Sequence, residues 1–439
     1  MSILTFKGGV HPYDGKELSK DEPIVEYNPQ GEIAIAVSQH IGAPATPIVN
    51  VGDNVKVGQK IAEAAGFISA NVHSSVSGTV KAIEPRFMAN GTKVNCIIIE
   101  NDNNYEEVDY KKPKPLSELS KSEIRDLVKE AGVVGMGGAC FPTNVKLSPK
   151  NEDEIDFVIV NGAECEPYLT SDYRRMIEHP EILIEGLKVS LSLFPNAKGI
   201  IGIEDNKPEA IKKLKELVKD EPRIEVKPLY TKYPQGAERM LIYAVTGRKI
   251  NSSMLPADAG CVVDNVDTMF AIYEAVTNGK PLISRVITVT GDAITNPKNF
   301  LVRIGTNQNE LIEAAGGFKS QPEKVISGGP MMGIAMSSLD VPVLKGSSAL
   351  LCMQHDEVSA AEEGNCINCG RCADVCPGHI LPSRLAKLAS RGDMEGFEKM
   401  NGLECCECGC CSFICPAKRN LTQAIKSMRK EVLASKKKK

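Results

Sequence analysis

Cysteine spacing carries the plainest chemistry in this sequence, because ten of its 15 cysteines lie between Cys366 and Cys415. Two runs of the form C-x2-C-x2-C-x3-C-P begin at Cys366 and Cys405 with identical intervals. Three thiolates on a tight loop can bind three corners of a [4Fe–4S] cube, and in such paired runs the fourth cysteine ligates the other cluster. The spacing therefore predicts two crossed ligand sets: Cys366, Cys369, Cys372 with Cys415, and Cys405, Cys408, Cys411 with Cys376.

Structural zinc is the alternative interpretation of the C-x2-C pairs. Zinc takes four ligands per site, however, and has no use for a triple spacing that repeats with a following proline. Cys406 and Cys410 fall outside the pattern and are interpreted as packing residues or as neighbours of the ligands. Two clusters this close carry single electrons, so the sequence indicates electron transfer.

A glycine-rich segment over residues 132–146 is the second candidate site. It follows a helical pattern, KSEIRDLVKEAG, and precedes a buried strand over residues 155–160. Glycines between packed elements let backbone N–H groups approach a phosphate closely. By itself the segment indicates only a turn, because its spacing is not the G-x-G-x-x-G of dinucleotide-binding loops.

The segment resembles the flavin loop of the NADH-binding flavoprotein subunit of respiratory complex I, where G-x-G-G-A-G-F-P-T-G-x-K is followed by N-A-D-E-S-E-P. Tyr233–Glu238 and Val263–Thr268 resemble the Y-x-x-G-E-E and V-N-N-V-E-T of that family. The resemblance implies that FMN is held by Gly135, Gly137, Gly138, Lys146, Asn161, Glu164, Tyr233, Gly236, Asp264 and Asn265, with Ala139 as a further cofactor-binding position of the loop. It also implies that Phe141, Glu166 and Glu238 face the nicotinamide nucleotide, and that Glu166 orients the nicotinamide or tunes the flavin.

The chain departs from that family at Met136, Cys140, Ala163 and Ala237, where Arg, Gly, Asp and an acid are usual. These positions bear on the affinity for FMN or NADH and on the flavin potential. The cofactors still form a coherent set, because NAD(H) exchanges a hydride, iron–sulfur clusters take single electrons, and a flavin can exchange both.

The N-terminal region alternates apolar residues across glycine turns in a V-x-x-G-D-x-V-x-x-G-Q pattern, which predicts strands and hairpins. It resembles the barrel-sandwich fold of lipoyl and biotinyl carriers, but its hairpin, residues 64–71, has no lysine to modify. A Pro/Lys linker over residues 111–116 marks the domain boundary. Residues 285–343 match the small β-grasp domain that follows the flavin fold in the complex I protein.

We therefore predict a multidomain α/β chain: a barrel-sandwich-like β domain (1–112), a Rossmann-like FMN/NADH-binding domain (113–280), a β-grasp domain (281–350) and a helical two-cluster ferredoxin-type domain (351–439). The 42% hydrophobic and 25% charged residues are typical of a globular protein. A net charge of -4 argues against nucleic acid as a partner. The sequence shows no apolar stretch of membrane-spanning length and no signal-peptide layout, so an intracellular protein is expected.

Residues 6–12, FKGGVHP, resemble the opening of the C subunit of the Rnf electron-transport complex, and the order of the four domains resembles it too. That family implies a peripheral protein on the cytoplasmic face of the cell membrane, held there by the other subunits. Such a complex couples electron flow between ferredoxin and NAD to Na⁺ or H⁺ transport. Ferredoxin would be reached indirectly, through a partner subunit.

Two other functions are considered. The corrin reductase of propanediol-degrading microcompartments also resembles the flavin and cluster motifs, but its sandwich-like segment follows the clusters, whereas here it precedes them. A non-catalytic electron-transfer scaffold with a decayed flavin site is the second alternative, and Ala163 and Ala237 are the residues that favour it.

Overall fold

The N-terminal domain is an antiparallel β sandwich in the computed structural model, which describes residues 4–437. One sheet has the order β2-β8-β7-β4 and the other β3-β5-β6. Alternate apolar residues, such as Ile33, Ile35, Ile97 and Ile99, point into a shared core, as the predicted period of two requires. The strands of the sandwich are β2 (Glu32–Ala36), β3 (Thr46–Pro47), β4 (Asn54–Val55), β5 (Lys60–Glu63), β6 (Val72–His73), β7 (Gly78–Phe87) and β8 (Lys93–Asn101), whereas β1 (Ile24–Tyr27) precedes them and belongs to another sheet.

The second domain is a doubly wound α/β fold around a four-stranded parallel sheet of order β11-β10-β9-β12. Strands β9, β10 and β12 contain continuous apolar runs, as expected for strands covered on both faces, whereas the edge strand β11 alternates apolar and charged residues. The elements are α1 (Lys121–Glu130), α2 (Thr143–Lys146), β9 (Phe157–Gly162), α3 (Ser171–Glu178), α4 (Pro180–Leu193), β10 (Lys198–Glu204), α5 (Pro208–Leu217), β11 (Ile224–Leu229), α6 (Glu238–Thr246), β12 (Cys261–Asn265) and α7 (Val266–Tyr273).

The third domain is a mixed sheet with one packed helix, in agreement with the predicted β-grasp fold. Its last strand ends at Met353, beyond the predicted boundary at residue 350. The elements are β13 (Ser284–Thr290), β14 (Lys298–Arg303), α8 (Gln308–Ala314), β15 (Lys324–Ser327), β16 (Ile334–Ala335) and β17 (Ala349–Met353).

The C-terminal region is helical, with a core around Leu385, Phe397, Ile425 and Val432. Its helices are α9 (Arg371–Asp374), α10 (Pro382–Ala389), α11 (Met394–Lys399), α12 (Cys410–Phe413) and α13 (Leu421–Lys437). The two cysteine runs adopt the same backbone path: the pairs Asn368/Glu407, Gly370/Gly409 and His379/Lys418 have matching left-handed φ angles. Among residues 4–437 there is no helix both long and apolar enough to cross a membrane.

Residues 4–27 lie outside the sandwich, although the sequence predicted them in one domain with it. Strand β1 adds to the β-grasp sheet in parallel with β14, with Ile24 opposite Asn299. Upstream, Val10 pairs with Tyr233 of the flavin domain, and Gly9 N–H donates to Val375 O of the C-terminal region at 2.8 Å. This N-terminal segment therefore joins the other three domains.

Candidate functional site

The residues predicted to bind FMN gather at the carboxyl edge of the parallel sheet, beside β9 and β12. The chain runs from β9 outward to β11 and then returns to place β12 on the other side of β9. Ligands of open α/β sheets bind where the strand order reverses in this way. Asn161 and Asn265 sit opposite each other at this edge, and Asn161 Nδ2 donates to Gly236 O at 2.8 Å. The sheet thus brings three of the predicted motifs together.

The glycine loop forms a tight turn over this edge, closed by Gly135 N–H donating to Phe141 O at 2.9 Å. A Cβ on Gly135 would lie 2.9 Å from Lys146 Nζ, and one on Gly137 would lie 2.8 Å from Asn265 Cβ. A side chain is therefore excluded at Gly137, and one at Gly135 would displace the Lys146 ammonium. Gly137, Gly138 and Ala139 are exposed, so their backbone is accessible, as a phosphate-binding loop requires.

Lys146 and Asp264 form an ion pair next to the glycine loop, with Nζ 2.9 Å from Oδ1. Burial alone would lower the pKa of Lys146, but the Asp264 carboxylate outweighs it and raises that pKa. Asp264 Oδ2 and Tyr233 Oη are buried with no hydrogen-bond partner among the described residues. Two buried polar atoms without partners, a lysine and an exposed glycine loop fit a phosphate-bearing, polar ring cofactor such as FMN.

Two acids lie next to these residues, a buried one, Glu164, and a partly exposed one, Asp172, and the sequence predicted only Glu164. Glu164 accepts from the backbone N–H groups of Asp172 and Tyr173 at 2.7 and 3.3 Å, so it caps the start of α3. The Asp172 carboxyl accepts from Asn265 Nδ2 at 2.7 Å. Asp172 was missed because an acid in the first turn of a helix is ordinary in sequence terms.

Glu166 contacts the β-grasp domain. Its Oε1 accepts hydrogen bonds from the backbone N–H groups of Met331 and Met332 at 2.6 and 3.1 Å. The backbone oxygen of Glu166 accepts from Lys16 Nζ at 3.0 Å. These contacts favour a positioning role for Glu166. Glu238, the first residue of α6, is exposed.

The four departures from the family pattern are all compatible with the fold. Met136 is buried, and its N–H donates to Thr268 Oγ1 at 3.0 Å. Ala163 O accepts from Lys207 Nζ at 2.7 Å, while Ala237 precedes α6. Cys140 has a left-handed φ of 53°, the conformation that explains why glycine is usual there.

The C-terminal region contains two cavities lined by cysteines. One is lined by Cys376, Cys405, Cys408 and Cys411 together with Cys406 and Cys410, and the other by Cys366, Cys369, Cys372 and Cys415. Each cavity brings together the four cysteines of one of the two predicted crossed sets. Within residues 4–437, no three cysteine, histidine or acidic side chains are close enough to share a single metal ion. Four thiols around a cavity fit a polynuclear cluster, with thiolates at its corners.

The first of these cavities adjoins the flavin site. Cys408 and Cys410 pack with Val10 and Tyr233 in one apolar cluster, and Cys410 Sγ lies 3.8 Å from Tyr233 O. Cys406 packs against the same cluster, so both cysteines outside the motif lie at this contact. At the second cavity, by contrast, Cys366 and Cys369 are exposed. One cysteine set therefore faces the flavin domain and the other faces the surface.

Three family models match the chain. Residues 4–104 match the RnfC barrel sandwich hybrid domain, residues 128–274 the Nuo51 FMN-binding domain, and residues 286–335 the SLBB domain. The solved structure of an NAD⁺-reducing [NiFe]-hydrogenase in the H₂-reduced state is similar, with a TM-score of 0.51. That match has 18% identity and covers 73% of this chain and 62% of the hydrogenase chain, so it shows the fold alone.

Curated relatives cover almost the whole chain. The C subunit of the proton-translocating ferredoxin:NAD(+) oxidoreductase complex of Clostridium ljungdahlii is 46% identical over 98% of this chain and 94% of its own length. The Na(+)-translocating counterpart of Acetobacterium woodii is 45% identical over 99% and 98%. The C subunit of the ion-translocating oxidoreductase complex of Vibrio cholerae is 34% identical over 91% of this chain and 52% of its own length. The chain therefore belongs to the RnfC family, the C subunits of ion-translocating ferredoxin:NAD oxidoreductases.

Proposed function

We propose that this chain is the NAD(H)-reacting subunit of an ion-translocating ferredoxin:NAD oxidoreductase. FMN bound at the sheet edge would exchange hydride with NAD(H), and two [4Fe–4S] clusters would carry the electrons singly to membrane partners. The observation that carries the proposal is the packing of Cys408 and Cys410 against Tyr233, because it places a cysteine cavity next to the flavin-site residues. Without such packing, electrons from the flavin could not pass directly to the clusters.

Different residues of the protein would bind different parts of the cofactors. Lys146 and the exposed loop backbone would bind the phosphate, while Asn161, Asn265 and Tyr233 would hold the polar ring system. Phe141 and Glu238 are proposed to face the nicotinamide nucleotide. We assign Glu166 a positioning role. Its carboxylate binds the backbone of the loop that contains Met331 and Met332 (the Met331 loop), and this loop lies between the flavin site and the nearer cysteine set.

The positions of the two cysteine sets support an order of electron transfer from the flavin through the two clusters. The set of Cys405, Cys408, Cys411 and Cys376 adjoins the flavin-site residues, so we assign it to the flavin side. The set of Cys366, Cys369, Cys372 and Cys415 opens to the surface, so we assign it to the partner side. The protein would be peripheral, held at the cytoplasmic face of the membrane by its partners.

Anaerobic titration of the reconstituted protein with NADH tests this function. Bleaching of the flavin band followed by reduction of both clusters is expected. Intact clusters with no flavin bleaching would reject the hydride role and leave the electron-transfer scaffold. Co-purification with integral membrane subunits, lost on a salt or detergent wash, is expected for a peripheral subunit.

A further inference from the structure

Asp172 is a partly buried acid to which the proposed function assigns no role. Its Oδ2 accepts from Asn265 Nδ2 at 2.7 Å, and the structure gives Oδ1 no partner among residues 4–437. In that same range no basic side chain forms a salt bridge with it, because the neighbouring Arg175 is paired with Asp267 at 2.9 Å. Asp172 nevertheless keeps some accessible surface, so its free oxygen is not sealed in the core.

Asn265 links this acid to the flavin cleft. The Asn265 side chain caps α7 through its Oδ1, which accepts from Asp267 N–H at 2.8 Å, and it donates to Asp172 through Nδ2. On the other side, Gly137 of the glycine loop approaches Asn265 so closely that a Cβ there would lie 2.8 Å from Asn265 Cβ. Asp172 is therefore one side chain away from the backbone proposed to bind FMN.

Charged and polar groups on several neighbouring elements shift the pKa of Asp172. Burial is the main factor that raises the pKa of Asp172, and the acids Glu164 and Asp267 raise it further, whereas Asn265 and Arg285 oppose them. Burial also raises the pKa of Glu164, but Lys16, Lys207 and two backbone N–H groups favour its ionised form. Two cations and two backbone donors thus favour the ionised form of Glu164, whereas Asp172 has Asn265 as its one hydrogen-bond donor among the described residues.

We propose that Asp172 is the proton-exchanging residue of the flavin site, holding on Oδ1 a proton that moves with the electrons. The inference rests on the proposed function. Hydride from NADH carries two electrons and one proton, and reduction of a flavin to its neutral form takes one proton more. The O–H bond of Asp172 breaks to supply that proton, which leaves its carboxylate. When the two electrons depart singly, one proton returns to Asp172 and the other passes to water.

Infrared difference spectroscopy on the full chain, reconstituted with FMN and clusters, tests this directly. Reduction with dithionite, without NADH, is expected to remove a carboxylic-acid C=O band from the wild-type spectrum, and this band should shift in D₂O. The band should be absent in Asp172→Asn and unchanged in the control Asp220→Asn, an exposed acid. Should Asp172→Asn fail to fold, ¹³C labelling of aspartate carboxyls in the wild type must shift the same band.

Stopped-flow kinetics give an independent readout. Flavin reduction by NADH in wild type should slow as pH rises through the pKa of Asp172, because the acid form donates the proton. In Asp172→Asn the rate should fall at least about tenfold and lose that pH dependence, and Asp172→Glu should restore both. A wild type that oxidises NADH but lacks the labelled band, or an Asp172→Asn protein with the wild-type pH profile, would overturn the inference alone. A wild type that binds no FMN would overturn the proposed function as well.

Discussion

Glu166 fastens the Met331 loop to the flavin domain, with its Oε1 2.6 Å from Met331 N. The same loop packs with Tyr233, Cys408 and Cys410. From sequence alone, the Glu166 carboxylate would be expected at the nicotinamide. In the structure it contacts a loop that lies between the flavin site and the nearer cysteine set.

Replacing Glu166 with Gln separates these two roles. Glutamine keeps an acceptor for both N–H groups but loses the charge, which should cost about 1 kcal/mol of stability. For a positioning residue, flavin reduction by NADH should stay within about twofold of wild type, while the following cluster reduction slows. Stopped-flow absorbance at the flavin and cluster bands measures both steps, with the exposed Glu63→Gln as control. Slow flavin reduction with a normal second step would instead place Glu166 at the nicotinamide.

The crossed cysteine sets predict a pattern of iron loss in double mutants. Cys376→Ser and Cys405→Ser should each remove one cluster, and because both residues line one cavity the double mutant should lose no more iron than either single one. Cys376→Ser combined with Cys366→Ser should lose both clusters, about eight iron atoms in total. Iron analysis and EPR measure this, and Cys352→Ser, a buried cysteine of β17, should keep all its iron. Loss of both clusters in the Cys376/Cys405 double mutant, with loss of only one in the Cys376/Cys366 double mutant, would show that the ligand sets are not crossed.

The local motifs were predictable because their geometry is contained in a few consecutive residues. Cysteine intervals fix which thiols can share a cluster, and glycines at 135 and 137 leave room that side chains would fill. Longer-range pairings give no such signal. Nothing in residues 24–27 indicates that they pair with β14, and nothing around Glu166 indicates Met331. Those contacts depend on how complete domains pack, which a single sequence does not reveal.

The Lys146–Asp264 pair predicts that stability and FMN binding can be separated. Lys146→Met would leave the fully buried Asp264 carboxyl without its partner, at a cost of about 3 kcal/mol. Adding Asp264→Asn should recover most of that stability, because the unpaired charge is removed, yet FMN binding should remain lost without the lysine. Urea denaturation and flavin fluorescence titration measure the two properties. Lys150→Met, an exposed neighbour, should change neither of them. Wild-type FMN affinity in the double mutant would show that Lys146 does not bind the phosphate.

Lys345 predicts a pH dependence of folding. Its ammonium is buried, donates to the backbone oxygens of Asn71 and Gly132 at 2.7 Å each, and has no acidic partner within the described range. Burial lowers its pKa from 10.5 to about 7, so between these values the unfolded chain binds the extra proton and the folded chain does not. The free energy of unfolding should therefore rise with pH across that window.

Lys345→Met isolates this contribution. Wild type should gain up to about 2 kcal/mol relative to the variant between pH 7 and pH 9, because each pKa unit is worth about 1.4 kcal/mol. Chemical denaturation of both proteins at the two pH values measures the difference, which cancels other titrating groups. Lys319→Met, an exposed lysine of the same domain, should parallel wild type at both values. Parallel curves for Lys345→Met would mean that the buried lysine remains charged in the folded protein, held by the carbonyls that join the sandwich, flavin and β-grasp domains.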